Sequence, residues 1–240
     1  MRVQAVIEYD GSRFYGYQSQ KGSLPTVASK LIECFESMGI ESKPTASGRT
    51  DRGVHATAQS IHLDLPEHWH DIDRFLTHAN GKLKGYIKIK RVIKRDFDFH
   101  ARYSAKRRGY RYLIKKKPLN VFESAYLHHV KNFDPQTVSE ALKLFEGEHD
   151  FVYFMKTGSD TKSSVRKIHS ARLYEYRDLW VIYLEANGFL RSQVRLMCGA
   201  LFELKGKESI EKIKEQLKGK KRHFAKPAPP NALYLCRVVY

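Results

Sequence analysis

Residues 47 to 55 read SGRTDRGVH, which sets the carboxylate of Asp51 among the guanidinium groups of Arg49 and Arg52, with a glycine on either side of the run. Arginines that close would lower a carboxylate's pKa and keep it ionised near neutrality, while the glycines let backbone approach a substrate. That combination suits a nucleophilic or electrostatic role on an anionic substrate and does not suit a general acid. An ordinary surface ion-pair turn has the same composition, so the nonapeptide alone leaves both readings open.

Two other stretches carry residue types that do chemistry. VIEYDGS, Val6 to Ser12, has the strand-plus-acid layout of aspartyl-phosphate phosphatases, but Glu8 stands where that chemistry needs aspartate. The plainer reading is a strand that ends in an Asp10-Gly11 turn. His68 to Asp71 reads HWHD and offers two imidazoles and a carboxylate to zinc. Pro66 and the helix-cap position of Asp71 instead suggest a surface loop, and Cys34, Cys198 and Cys236 have no metal-ligand spacing.

The elements that must position these groups follow from the periodicities. Val3, Ala5, Ile7 and Tyr9 alternate as a strand. Pro25 and Thr26 precede Val27, Leu31, Cys34, Phe35 and Met38 at helical spacing, with Gly39 placed to cap. A short strand around Lys43 to Ala46 and a second through Ile61, Leu63 and Leu65 put Asp51 on the loop between them. Asp71 caps a helix through Ile72, Phe75, Leu76 and Ala79, and Tyr86 to Ile93 reads as a strand. The order is β-α-β-β-α-β.

The second half reads the same way. Tyr110 to Ile114 is a strand, and Asp134-Pro135 opens a helix that Gly147 closes. Residues 167 to 176 and 180 to 186 form a hairpin across Arg177-Asp178. Helices follow through Val194 to Leu204 and Ile210 to Leu217, then the KPAPPN stretch and a last strand, Leu233 to Val239. These patterns predict an α+β protein of two ferredoxin-like subdomains, residues 1–104 and 105–240, each with helices on one face of an antiparallel sheet. The other faces are left for a ligand, as in RNA-binding folds of this topology.

At 240 residues the chain can bury a core without disulfides, and three cysteines with no pairing pattern fit a reducing compartment, the cytoplasm. No apolar run reaches the roughly 18 to 20 residues of a membrane span, and Met1 to Tyr9 lacks a signal-peptide layout. The formal charge is +17, and the stretch from Lys82 to Lys117 holds 15 basic residues against only Asp96 and Asp98. Such a field attracts phosphate backbones. Tyr86, Phe97, Phe99, Tyr103, Tyr110 and Tyr112 interleave with the charges as stacking surfaces, which favours RNA over a membrane.

SGRTDRGVH closely resembles the signature of the TruA family of tRNA pseudouridine synthases, and further matches follow in order. They are Tyr9-Asp10-Gly11 with Gly16-Tyr17-Gln18, FHARYSA through YRY from Phe99 to Tyr112, His149-Asp150-Phe151, Asn187 to Gly199, and Ala232 to Tyr240. The resemblance implies that Asp51 is the catalytic aspartate and that Arg195 pairs with it. It implies that Arg49 displaces the target base and that Tyr110 packs on it. Arg102 and Lys106, within the basic segment, join them as substrate-binding candidates. The implied reaction isomerises uridine to pseudouridine at positions 38, 39 and 40 of the tRNA anticodon stem-loop. No electron or group enters or leaves, so no cofactor and no metal are expected. The implied assembly is a homodimer that contacts one tRNA with both subunits. Arg52 and Tyr17 depart from the commoner alanine and tryptophan of the pattern.

Overall fold

The computed structural model describes residues 1–20, 24–158 and 161–240. Among the described residues the chain is mixed α/β with five α-helices, and it divides into two compact units: Met1–Lys106 together with Tyr234–Tyr240, and Arg107–Leu233.

The first unit opens with β1 (Arg2–Tyr9), whose Val3, Ala5 and Ile7 are completely buried. Helix α1 (Val27–Glu36) starts where Thr26 and Ser29 cap each other reciprocally, and it buries Val27, Leu31, Cys34 and Phe35 along one stripe. The turn that follows it closes at Gly39, whose φ of +73° lets the Ile40 N–H reach back to the Phe35 carbonyl, while the Gly39 N–H bonds that of Glu36. Strand β2 (Thr45–Ala46) is short and β3 (His55–Asp64) long. Asp71 caps α2 (Ile72–Lys82) by accepting from the Asp73 and Arg74 N–H groups, and β4 (Ile87–Lys94) completes the expected order. Phe35 and Phe75 meet at 6.1 Å between α1 and α2, and each such buried ring contributes about 1.5–3 kcal/mol.

The sheet of this unit departs from expectation. Strands β4, β1 and β3 pair antiparallel, but the edge of β3 is shared. β2 covers Ile61 and His62, and the last strand, Leu233–Val239, runs parallel to β3 beside His55 and Ala56. The sheet is therefore mixed, and a single cut after residue 104 misses the return of Tyr234–Tyr240. The physical cause is length: a two-residue β2 leaves half of a ten-residue edge with unpaired backbone groups.

The second unit begins with β5 (Arg107–Lys115), and Asp134 with Pro135 starts α3 (Pro135–Lys143). Gly147 does not close that helix. It takes φ +96° as the first residue of an unanticipated strand, β6 (Gly147–Asp150). The hairpin β7 (Val165–Tyr176) and β8 (Leu179–Ala186) turns through Arg177 at φ +54°. Helices α4 (Gln193–Phe202) and α5 (Glu208–Leu217) follow, and β9 (Leu233–Val239) is the strand that joins the first unit's sheet. The order β5-β8-β7-β6 is antiparallel throughout, with α3 packed on β7. The extra β6 and α5 make this half more than a repeat of the first. Among the described residues no helix is long and apolar enough to cross a membrane.

Candidate active site

The loop between β2 and β3 is held against the turn that follows β1. A Cβ placed on Gly11 would stand 2.1 Å from the Val54 carbonyl oxygen, and one on Gly16 would stand 3.0 Å from that of Thr50. Gly16 also has φ +97°, so both glycines serve a direct backbone-to-backbone approach. The Tyr17 N–H donates to the Thr50 carbonyl at 3.1 Å, and the Tyr9 hydroxyl shares a 2.8 Å hydrogen bond with Thr50 Oγ1. Thr50 is thus gripped at side chain and carbonyl, one residue before Asp51. Burial pushes the Tyr9 phenol up to about 12, so this group stays neutral through the physiological range.

The rest of the loop is equally constrained. Ser47 Oγ donates to Gln59 Oε1 at 2.7 Å, and Gln59 Nε2 donates to the Gly48 carbonyl at 2.8 Å. Downstream, the Val54 N–H bonds the Asp51 carbonyl at 3.1 Å across Gly53, which takes φ +80°. His55 is buried, accepts the Gly11 N–H on Nδ1 at 3.0 Å and stacks on Tyr234 at 4.7 Å. Asp51 is half-buried on this braced loop, and Arg49 is exposed. The sequence placed Arg52 beside the carboxylate as an electrostatic neighbour. Its guanidinium lies 4.1 Å from the centre of the Tyr15 ring, a cation–π contact that also braces the loop.

Arg102 and Lys106 are exposed on the segment that leads out of β4, where the Lys106 N–H is anchored on the Val239 carbonyl at 2.8 Å. In the second unit, β5 buries Tyr110 edge-on to Phe189 at 5.3 Å. On α4, Arg195 Nε donates to the Ala228 carbonyl at 2.9 Å, and the Ala228 N–H returns to the Arg195 carbonyl at 2.8 Å. Tyr112 donates to the Pro229 carbonyl at 2.9 Å. A Cβ on Gly199 would meet the Lys226 carbonyl at 2.0 Å, so the KPAPPN stretch lies directly on the helix. Arg49, Asp51, Arg102 and Lys106 therefore fall in the first unit, and Tyr110 and Arg195 in the second. Thr50, Tyr9, His55, Tyr234 and Phe189 escaped sequence reasoning. Only the glycines of the flanking motifs signalled that two backbones would meet.

The alternative chemistries find structural uses instead. Asp10 Oδ1 accepts from the Ser12 N–H and hydroxyl as the cap of a 3-10 turn, and Glu8 pairs with Lys90 at 3.3 Å. In HWHD, a ring nitrogen of His68 lies 3.4 Å from the Met38 carbonyl and one of His70 lies 3.1 Å from that of Glu67. The Trp69 indole donates to Met38 at 2.9 Å. Among the described residues no group of three or more His, Cys, Asp or Glu is gathered to hold a metal ion.

Comparison with known proteins adds a consistent result. The profile of a family described as tRNA pseudouridine synthase matches residues 141–240. The tRNA pseudouridine synthase A of Wolinella succinogenes is 46% identical over 237 residues, which cover 98% of this chain and 93% of that one. That of Helicobacter hepaticus is 40% identical over 99% and 98% of the two chains, and that of Geobacillus sp. 39% identical over 100% and 98%. Among solved structures, a chain of a Cbf5-Nop10-Gar1 complex superposes with a TM-score of 0.34 at 14% identity, spanning 82% of this chain and 44% of the other. That likeness is too slight to bear on fold or function.

Proposed function

This chain belongs to the family of tRNA pseudouridine synthase A, and on that premise we propose that Asp51 is its catalytic carboxylate, acting on uridines 38, 39 and 40 of the tRNA anticodon stem-loop. The enzyme is an isomerase of tRNA: the N1–C1′ bond breaks, the base rotates, and C5 takes the place of N1. The observation that carries the assignment of Asp51 is the bracing of its loop. Close backbone contacts of Gly11 with Val54 and Gly16 with Thr50, the Tyr9–Thr50 hydrogen bond and the Tyr17–Thr50 bond hold the loop on both sides of Asp51 with more apparatus than a surface turn needs.

A stacked nucleotide hides its glycosidic bond, so the target must be swung out at a cost of a few kcal/mol. Arg49, exposed on the same loop, fills the space the base leaves. Tyr110 receives the base by stacking, and Arg195 is the cationic partner of the Asp51 carboxylate. The Arg195 Nε bond to Ala228 sets the plane of its guanidinium, which supports that role. Arg102 and Lys106 join the basic segment that grips phosphates.

The proposed organisation is of two ferredoxin-like subdomains, the first carrying the aspartate loop, the second completing the site and binding tRNA. The order β4-β1-β3-β2 in the first unit supports it there. The working form is a cytoplasmic homodimer.

Mapping pseudouridines in tRNA from cells that lack this protein tests the reading: modification at 38, 39 and 40 is expected to vanish, and its persistence would refute the target assignment. Binding should also weaken steeply with salt. The logarithm of the affinity is expected to fall by about 0.7–0.9 per phosphate contact for each log unit of salt, as measured by titrating tRNA at several ionic strengths. A flat response would remove the phosphate-gripping role of the basic segment.

A further inference from the structure

The turn that follows β4 is fastened to the first unit's sheet at its root and opens to solvent at its tip. At the root, Ala101 is fully buried; its N–H donates to His62 Nδ1 at 3.1 Å and its carbonyl accepts from the Tyr240 hydroxyl at 2.9 Å. That hydroxyl also lies 2.7 Å from Ser60 Oγ, which accepts from Gln4 Nε2 at 2.9 Å. Phe99 is buried 4.9 Å from the Tyr240 ring, with the Arg95 guanidinium 5.0 Å above it.

Within the turn, His100 Nδ1 accepts the N–H groups of Arg102 and Tyr103 at 3.1 and 3.3 Å, so its ring proton belongs on Nε2. The Ser104 N–H closes the turn on the His100 carbonyl at 2.9 Å. At the tip stands Tyr103, 76% exposed. Its ring is backed by the His100 imidazole at 4.4 Å and 33°, and the Arg102 guanidinium lies 5.7 Å from its centre.

An aromatic ring left in water forgoes the favourable free energy of burial, and here it is held stiff by an imidazole that is itself hydrogen-bonded to the backbone. Such a ring loses little freedom when a flat partner covers it. The surrounding charge selects that partner. Tyr103 sits in the stretch with 15 basic residues and two acidic ones, which attracts a polyanion and repels a basic protein surface. Flat, apolar-faced groups attached to a polyanion are nucleobases.

We propose that Tyr103, backed by His100 and flanked by Arg102, is a stacking platform for an unpaired nucleobase of the bound tRNA, distinct from the base that reacts. The proposal rests on tRNA being the substrate. It adds a contact to a base face, where the basic segment supplies contacts to phosphates.

The test titrates the full-length protein and its Tyr103 variants with an anticodon stem-loop RNA carrying 2-aminopurine in the loop. Pseudouridine formation is followed on the same RNA. Tyr103→Ala is expected to weaken binding about tenfold and to remove the stacking quench of 2-aminopurine, with the salt slope and melting temperature unchanged. Tyr103→Trp should bind at least as tightly as the parent, and Tyr103→Leu should behave as alanine. The rise should fall on KM, with kcat nearly unchanged.

Alanine binding within twofold of the parent would overturn the platform, as would full binding by the leucine variant, which would mark the tip as an apolar docking point. A parent protein that binds the RNA but forms no pseudouridine would refute the catalytic reading, while the affinity comparison still decides the platform.

Discussion

Asp51→Asn is expected to abolish pseudouridine formation, by on the order of 10⁴-fold or more, while tRNA affinity stays the same or rises slightly. The substitution changes one oxygen to an amide and nothing else in the loop. The Asp51 carbonyl still accepts the Val54 N–H, and Thr50 is still held by Tyr9 and Tyr17, because none of these contacts uses the carboxylate. The fold and the RNA surface should therefore persist. What disappears is the negative charge and the nucleophilic oxygen, which an amide cannot supply. Removing one negative charge from an RNA-binding surface reduces repulsion, so any affinity change should be toward tighter binding. Single-turnover assays on a stem-loop RNA, paired with a binding titration, separate the two effects. Turnover by the asparagine variant within tenfold of the parent would end the assignment. Loss of binding in parallel with turnover would show that the residue shapes the RNA surface instead.

The second large effect is expected from Gly11→Ala, a change outside the aspartate loop at a residue with no charge and no proposed contact to RNA. The new methyl carbon would stand 2.1 Å from the Val54 carbonyl oxygen, 2.4 Å from its carbon and 2.9 Å from the His55 nitrogen. All three are backbone atoms, so no side chain can rotate away. Either the turn after β1 or the loop before β3 must move, which costs about 3 kcal/mol by the usual penalty for overpacking. Roughly 6–12 °C should be lost from the melting temperature. The same shift breaks the Gly11–His55 hydrogen bond and displaces the chain that carries Asp51. A misplacement near 1 Å at a reacting group costs about 100-fold in rate. The expected result is a folded, less stable protein whose kcat falls by that order while salt-dependent binding survives, since the basic segment is untouched. Parent-like kcat at a lowered melting temperature would show that the contact serves stability alone.

The short-range elements were legible in the residues because their causes lie within a few positions. Thr26 with Ser29, Asp71, and Asp134 with Pro135 start helices through backbone N–H groups two or three residues away, and all three do so in the structure. The apolar stripe of α1 likewise fixes its buried face, whereas β1 buries Gln4 and Val6 on one face as well as Val3, Ala5 and Ile7 on the other. The loop position of Asp51 follows from the same local signals. Gly147 shows the limit of this kind of reading, since a glycine suited to end a helix is equally suited to begin β6 with a positive φ.

Beyond a few residues, the alphabet of types stopped being sufficient. Arg52 carries the charge that made it an obvious neighbour for Asp51, yet the Tyr15 ring lies within its reach and takes the guanidinium. Arg195 could be matched by its motif, but its hold on the Ala228 carbonyl depends on how the proline-rich stretch lies across α4. Nothing in Leu233 to Val239 announces that this strand will run parallel to β3 and bring Tyr234 onto His55. Ordered motifs pointed to the family, and local spacing gave most of the elements and set Asp51, the proposed catalytic carboxylate, on its loop, because those rest on residue types and on bonds closed within one turn. Tertiary structure decided which edge the last strand fills, which ring each arginine meets and how tightly the Asp51 loop is gripped. Those outcomes depend on backbone groups far apart in the chain that must find partners once water is excluded.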